Sequence, residues 1–400
     1  MVTKGRTRRW LHWAQYALCL AAIAYLVHKV PWYTQVQLHD ERGPHVRLLE
    51  RQGDRLVVER DGRAVTVPVG EAYHVVVDGK RVPKVETGVR DVARSLNVGW
   101  ALYAVLLFGP VLLLQSYRLV VMVAVQGVRL KLWNAVKLNL AGNFFNFALP
   151  GTTGGDLVKA YYLSYYTHRK TEVATTVFLD RVIGLLGLVG LAAGAMLVTG
   201  EAGGSGRLLT ALGGVSLCVA GACVAIFSRR IRARLRLTKL AERLPGGRHL
   251  LRAGRATVAL RSHKGRVASA FLLTLLLQGT CAVSAAVMAW ALDMRGPGGA
   301  LAQVWYFTAY VSIGFLIAAV PLTPQAVGVM EAAYIQFFTR GHWNTASQAV
   351  AFAFAVRLIQ LVWALPGILV PLLGAHLPRG EELAAFEAGG REEPSAPGGE

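Results

Sequence analysis

The sequence predicts an all-α polytopic membrane protein with about six transmembrane helices and two re-entrant hairpins in an inverted repeat. A small extracytoplasmic β-domain is expected after the first helix. Three observations predict this. Hydrophobic residues make up 54% of the 400-residue chain, mean hydropathy is +0.41, and several apolar runs exceed the length needed to cross about 30 Å of hydrocarbon. The run from Asn143 to Lys159 carries a Pro150-Gly151 break, glycines at 154 and 155, and then ionisable residues inside membrane-like sequence. Broken backbone is tolerated in lipid only where protein or water surrounds it, so this stretch is expected to turn back within the membrane.

A second such stretch lies near the C-terminus. Sliding residues 148–163 onto 319–335, with a small gap, pairs Pro150 with Pro321, Lys159 with Glu331 and Tyr162 with Tyr334; after a loop, Arg181 meets Arg357. Two hairpins of opposite charge, each followed by a span holding an arginine, form the pattern of a duplicated transporter with its site between the repeats.

In chain order, residues 1–31 hold a cytoplasmic N-terminus and the first helix. Lys4, Arg6, Arg8 and Arg9 precede an apolar run at 10–30 flanked by Trp10, Trp13, Trp32 and Tyr33, which places the basic end inside. A cleaved signal peptide is the alternative, but no A-x-A site follows the run. Residues 32–94 alternate in short apolar stretches separated by turn sequences such as Gln52-Gly-Asp and Asp61-Gly-Arg. They are expected to form five or six antiparallel strands. His39, His45 and His74 fall on separate strands or turns, which gives no zinc spacing. The expected role is packing or contact with an extracytoplasmic protein partner.

The transmembrane domain is expected over 95–374. Residues 96–115 form a span kinked near Gly109-Pro110, and Arg118, Arg129, Lys131 and Lys137 follow at its cytoplasmic end. The apolar run 119–128 is below spanning length and is placed at the interface, with a separate crossing as the alternative. The first hairpin runs in from Trp133 and out to Arg169-Lys170. Spans at 173–198 and 208–227 lead to a basic segment, 229–266, whose one acid is Glu242. This marks a cytoplasmic loop that could also gather acidic lipid. A span at 267–292, the second hairpin at 304–338 and a last span at 347–373 complete the domain. Three spans separate the hairpins, so the second is inverted relative to the first. The tail, 375–400, is rich in Gly, Pro, Ala and Glu and is expected to be a disordered cytoplasmic segment.

The formal charge of +20 sits beside spans, where it sets topology, and no nucleic-acid module accompanies it. Cys19, Cys218, Cys223 and Cys281 all lie in apolar segments without metal or disulfide spacing. The Gly151-Thr-Thr-Gly-Gly-Asp run lacks a phosphate-loop ending, and no hydrolase or metalloprotease signature is present. No cofactor, no metal and no catalytic residue is expected.

Charges inside a bilayer are costly and therefore pair or face a polar cavity. The expectation is a hydrated cavity in which Asp156 and Glu331 face Arg181 and Arg357 across the repeat interface, with Lys159 beside them. The arginines would grip a phosphate and the half-helix ends near 152–155 would add backbone donors. Two plainer readings stay open: closed ion pairs that only lock helices, and mutual neutralisation of Asp180 and Arg181.

Three motifs in order are Asn143-x-x-Asn-x-x-Leu-Pro-Gly-x-x-Gly-Gly-Asp-x-x-Lys-Ala-Tyr, Phe178-Leu-Asp-Arg-x-x-Gly-Leu and Pro321-x-Thr-Pro-x-x-x-Gly-x-x-Glu-Ala. Together they resemble the lysylphosphatidylglycerol synthase transmembrane region, also described as the flippase-like domain family, over about residues 95–374. In that family the membrane region of the full-length enzyme moves aminoacylated phosphatidylglycerol between leaflets, and a separate cytoplasmic domain makes it. The resemblance thus implies a multi-pass protein of the cytoplasmic membrane, with both termini inside. It implies a head-group site drawn from Asn143, Asn146, Pro150, Gly154, Gly155, Asp156, Lys159, Asp180, Arg181, Pro321, Thr323, Pro324, Gly328, Glu331 and Arg357. No aminoacyl-transferase domain follows, so synthase activity is not expected. Pro324-Gln-Ala-Val-Gly stands where a more glycine-rich turn is expected, and the β-insert is additional. The expected function is translocation of an anionic or modified phospholipid or isoprenoid phosphate. The alternatives are a membrane enzyme or subunit of a glycolipid or cell-envelope pathway, and a non-catalytic scaffold that uses the β-domain.

Overall fold

The computed structural model describes residues 24, 30–39, 44–60, 62–77, 80–83, 85–125, 127–148, 154–164, 170–200, 264–319, 323, 326–340 and 343–372. Most of the first span, the span at 208–227, nearly all of the basic segment 229–266 and the tail lie outside the described residues, as do Pro150, Pro321 and Pro324. Five described helices are long and apolar enough to cross a membrane: Val98–Val125, Leu179–Thr199, Gly265–Ala291, Ala300–Ala319 and Ala346–Ile368. The chain is a multi-pass membrane protein. It divides into two compact units.

The first unit comprises Met1–Ala104, Ala285–Gln303 and Leu322–Arg357. Its sheet contains β1 (Gln35–Gln37), β2 (His45–Gln52), β3 (Arg55–Arg60), β4 (Arg63–Pro68) and β7 (Val85–Glu86), ordered β4-β3-β2-β1-β7, while β5 (His74–Val77) and β6 (Lys80–Pro83) form a separate ladder. The short β6 and β7 raise the strand count above the five or six expected. Two-residue turns join β2 to β3 and β3 to β4, with Gly53 at φ 58° and Gly62 at φ 73°. This is the left-handed backbone that tight hairpins require. Val36, Leu38, Leu56, Val58, Val67 and Ala72 are buried beneath the sheet.

Helix α1 (Val89–Arg94) follows the sheet, and α2 (Val98–Val125) begins after Asn97, whose Oδ1 accepts the Trp100 N–H at 3.2 Å. The same unit holds α8 (Val329–Phe338) and the start of α9 (Ala346–Ala364). Thr345 and Gln348 cap α9 reciprocally: Gln348 Oε1 accepts the Thr345 N–H at 2.9 Å, and Thr345 Oγ1 accepts the Gln348 N–H at 3.2 Å. Tyr334, Phe338 and Phe352 pack their rings 5.4 to 5.6 Å apart between α8 and α9.

The second unit comprises Val105–Ser284, Val304–Pro321 and Leu358–Glu400. It contains the rest of α2, α3 (Leu132–Ala148), α4 (Gly154–Ser164), α5 (Lys170–Thr199), most of α6 (Lys264–Ala291) and most of α7 (Ala300–Ala319). A single turn at Leu365–Ile368 and the short α10 (Leu369–Leu372) close it. One expectation is corrected here. Residues 119–125 are not a separate segment but the continuation of α2 through Pro110. Proline removes a donor and loosens the preceding turn. Trp363 donates its indole N–H to the Val105 carbonyl at 2.7 Å and so braces the turn before the proline, whose own missing donor leaves the Leu106 carbonyl without its helix partner. Gly109 leaves the space for that ring, since a Cβ there would lie 2.8 Å from it.

Helices α3 and α4 form a close pair. A Cβ on Gly155 would strike the Gly142 carbonyl oxygen, and one on Gly142 would strike the Lys159 stem. On another side of α3, Gly367 rests against the Leu140 carbonyl. Leu119, Val123, Leu138, Ala141, Val158 and Leu163 fill the space between α2, α3 and α4.

Candidate functional site

The second unit holds a buried polar seam among its apolar helices. Arg118, on α2, is only 6% exposed. Its Nη2 donates to Asp180 Oδ2 on α5 at 2.8 Å and its Nη1 donates to Thr274 Oγ1 on α6 at 2.9 Å. Thr274 passes its own hydroxyl to the Ala270 carbonyl, and nearby Gln278 donates to the Gly184 carbonyl at 2.7 Å. An arginine at the end of a shorter span would lie in the cytoplasmic flank. Because α2 continues past it, Arg118 sits in the helix packing. Sequence reading missed it, although an unbroken apolar run on both sides of a lone arginine was the available signal.

The neighbouring α3–α4 pair carries the rest. Asn143 and Gln115 exchange amide hydrogen bonds, Asn143 donating at 3.1 Å and Gln115 at 3.5 Å. Asn139 donates to Ser116 Oγ at 3.1 Å. Asn146 Oδ1 accepts the Gly155 N–H at 3.0 Å, so one of the backbone donors expected for a ligand is already taken by a side chain of α3. Lys159 is 7% exposed and its Nζ approaches Asn143 Oδ1 at 3.5 Å. Asp156 accepts from Arg181 Nε. The Arg181 side chain is 45% exposed and that of Asp156 16%, so this pair borders the surroundings. Asp180 and Arg181, adjacent in sequence, do not neutralise each other: Asp180 turns to Arg118 and Arg181 to Asp156.

The first unit holds a second constellation, on α8, the turn before it and α9. Glu331 is fully buried. It accepts from Arg357 Nη1, from Arg357 Nη2 at 3.3 Å and from the Gly328 N–H at 2.7 Å. Arg357 Nη2 also donates to the Ala326 carbonyl at 3.2 Å, and Thr323 Oγ1 donates to the Val327 carbonyl at 2.9 Å. Ala326 and Gly328 have φ of 52° and 87°, so the turn before α8 is an unusual backbone fastened by one arginine. Glu331 is the third residue of α8 and Asp156 the third of α4. Each of these two short helices thus carries an acid at its third position.

Of the expected site residues, Asn143, Asn146, Gly154, Gly155, Asp156, Lys159, Asp180 and Arg181 lie in the second unit. Thr323, Gly328, Glu331 and Arg357 lie in the first. No cluster of His, Cys, Asp or Glu that could hold a metal occurs among the described residues.

Long apolar helices joined by buried ion pairs and amide networks define a polytopic membrane domain with a polar interior. Residues 87–367, well over half of the chain, match the family described as the lysylphosphatidylglycerol synthase TM region, and the chain belongs to that family. The match begins directly after β7, so the sheet precedes the family's domain. No curated protein and no solved structure matches the chain.

Proposed function

We propose that this chain carries an anionic lipid head group, a phospholipid or an isoprenoid phosphate, between the leaflets of the cytoplasmic membrane. The head group follows the seam of Arg181, Asp156, Lys159, Arg118 and Asp180 while the acyl chains stay in the bilayer. In this reading the chain has six crossings and two re-entrant hairpins in inverted orientation, with both termini inside and the sheet outside. It acts as a carrier and not as an enzyme.

The observation that supports the reading is the charge count of the seam. Three basic side chains, Arg118, Lys159 and Arg181, lie with two carboxylates, Asp156 and Asp180. Each carboxylate holds an arginine, so the formal excess of one cation matches a phosphodiester monoanion. An unbalanced charge in an apolar environment is costly, and a lipid phosphate would offset it. Arg181 is the group placed to meet the lipid first, through two-pronged hydrogen bonding that Asp156 orients. Glu331 and Arg357 are saturated by each other and by backbone; in this reading they fasten the second hairpin.

The test is exchange of a fluorescent phosphatidylglycerol between leaflets of liposomes containing the purified protein. Wild type is expected to accelerate exchange and Arg181→Gln to slow it at least tenfold. Equal rates with and without protein, for both phosphatidylglycerol and an isoprenoid phosphate, would overturn the reading.

A further inference from the structure

The first unit contains a basic cleft of about 320 Å³ that the seam does not involve. It lies between β2 and α1, with Arg47 and Arg51 on one wall and Arg90 and Arg94 on the other. On α1 the two arginines are four residues apart and share a face. On β2 a bulge between Leu48 and Glu50 interrupts the alternation, which re-aims side chains at a strand's surface. Tyr33 forms part of the wall: the Arg47 guanidinium carbon lies 3.9 Å from its ring centroid and that of Arg90 5.8 Å. Such stacking holds guanidinium planes in fixed orientation.

Two carboxylates, Glu50 and Asp91, also line the cleft, so its four arginines leave a formal excess of two positive charges. Asp91 Oδ2 is occupied by the Thr34 hydroxyl at 2.7 Å and the Thr34 N–H at 3.1 Å. Arg47 pairs with Glu59 at 3.0 Å on the exposed sheet face. Arg51, Arg90 and Arg94 make no salt bridge among the described residues. The chain is built to keep the cleft in shape: Gly88, at the start of α1, lies so close to the Tyr33 backbone that a Cβ there would collide with it, and its N–H donates to Thr34 Oγ1 at 3.0 Å.

Position narrows the ligand. Arg94 lies four residues before α2, a helix long enough to cross the membrane. Trp32, Trp100 and Tyr103, all in the same unit, are exposed, as aromatic side chains are at a membrane–water interface. We propose that the cleft between β2 and α1 binds the phosphate of an anionic lipid head group whose chains remain in the bilayer beside α2. The site is separate from the seam and does not depend on lipid translocation. Its chemistry is that of a phosphate mono- or diester held by arginine forks, and a free phosphate shares it.

The full chain in detergent is titrated with inorganic phosphate, glycerol 3-phosphate and short-chain phosphatidylglycerol, with short-chain phosphatidylcholine as the neutral control. The variants are Arg90→Gln/Arg94→Gln, Arg51→Gln alone in case the double variant fails to fold, and Arg60→Gln/Arg63→Gln as a control on the β3–β4 turn. Phosphatidylglycerol is expected to bind in a salt-sensitive manner, at least fivefold more weakly in either cleft variant and unchanged in the control. Binding of glycerol 3-phosphate with the same dependence also supports the proposal and shows that the head group suffices. Three results overturn it: binding of inorganic phosphate but not phosphatidylglycerol, equal binding of phosphatidylcholine, and equal weakening in the control variant. Loss of leaflet exchange with cleft binding intact would count against the translocation reading alone.

Discussion

Arg118 and Asp180 are joined at 2.8 Å between α2 and α5, two helices otherwise apolar enough to lie in lipid. Removing one partner of a buried pair leaves the other charge uncompensated, at roughly 3 to 5 kcal/mol. Arg118→Met is therefore expected to destabilise the protein by that order, and Arg118→Met combined with Asp180→Leu to restore much of the loss. Denaturant unfolding in detergent measures both. An additive double variant would mean that the two side chains do not act as a pair.

The two hairpin arginines are expected to fail differently. Arg357→Gln strips a fully buried glutamate of its partner and should lower thermal stability and yield before any transport is measured. Arg181→Gln removes a half-exposed side chain and should leave unfolding nearly unchanged while slowing leaflet exchange. Similar stability losses in both variants would show that Arg181 too is structural.

Gly155→Ala and Gly142→Ala should also separate. The first drives a methyl into a carbonyl oxygen of α3, whereas the second meets the Lys159 stem, which has rotamers to move into. Overpacking costs about 1 to 3 kcal/mol, with Gly155→Ala at the upper end and Gly142→Ala at the lower. Melting temperatures in one detergent give the order, and the reverse order would contradict the close helix pairing.

Trp363→Phe keeps most of the ring but removes the donor to Val105. A loss of about 1 kcal/mol is expected, together with faster amide exchange in the α2 turn around Pro110. Unchanged exchange there would show that the proline turn does not rely on the indole.

The junction of the sheet with α1 should respond to acid. The Thr34 hydroxyl hydrogen bond holds the Asp91 carboxyl below its ordinary value of 3.8, with burial opposing and Arg94 and Arg47 assisting. A carboxyl depressed in the folded state stabilises it fully above the unfolded value and loses that contribution as pH falls through the folded one. Amide exchange at Val89 and Val92 should therefore rise only below the usual carboxylate range, and Thr34→Val should move that rise to higher pH. A profile unaffected by Thr34→Val would separate Asp91 from the acid response.

The parts of the fold written locally in the chain were legible. Gly53 and Gly62 mark strand turns, and the described α3 and α4 end and begin at Ala148 and Gly154, on either side of the Pro150-Gly151 pair in the sequence. Arg118 was missed because the sequence reading closes the span at residue 115, whereas the helix runs on to Val125. Asp180 could not be assigned to Arg118 over its neighbour Arg181, since successive residues on a helix point in different directions and only packing decides.

The contact of Gly367 with Leu140 has a consequence for biogenesis. Gly367, which lies against the Leu140 carbonyl, is synthesised 227 residues after it, so the ribosome delivers α3 and α4 long before this contact can form. Contacts this distant in sequence are assembled late and slowly. Until then the nascent pair has its glycine-lined flank on α4 and an unfilled flank elsewhere, which makes this interval the one in which a membrane insertase or chaperone would have most to hold.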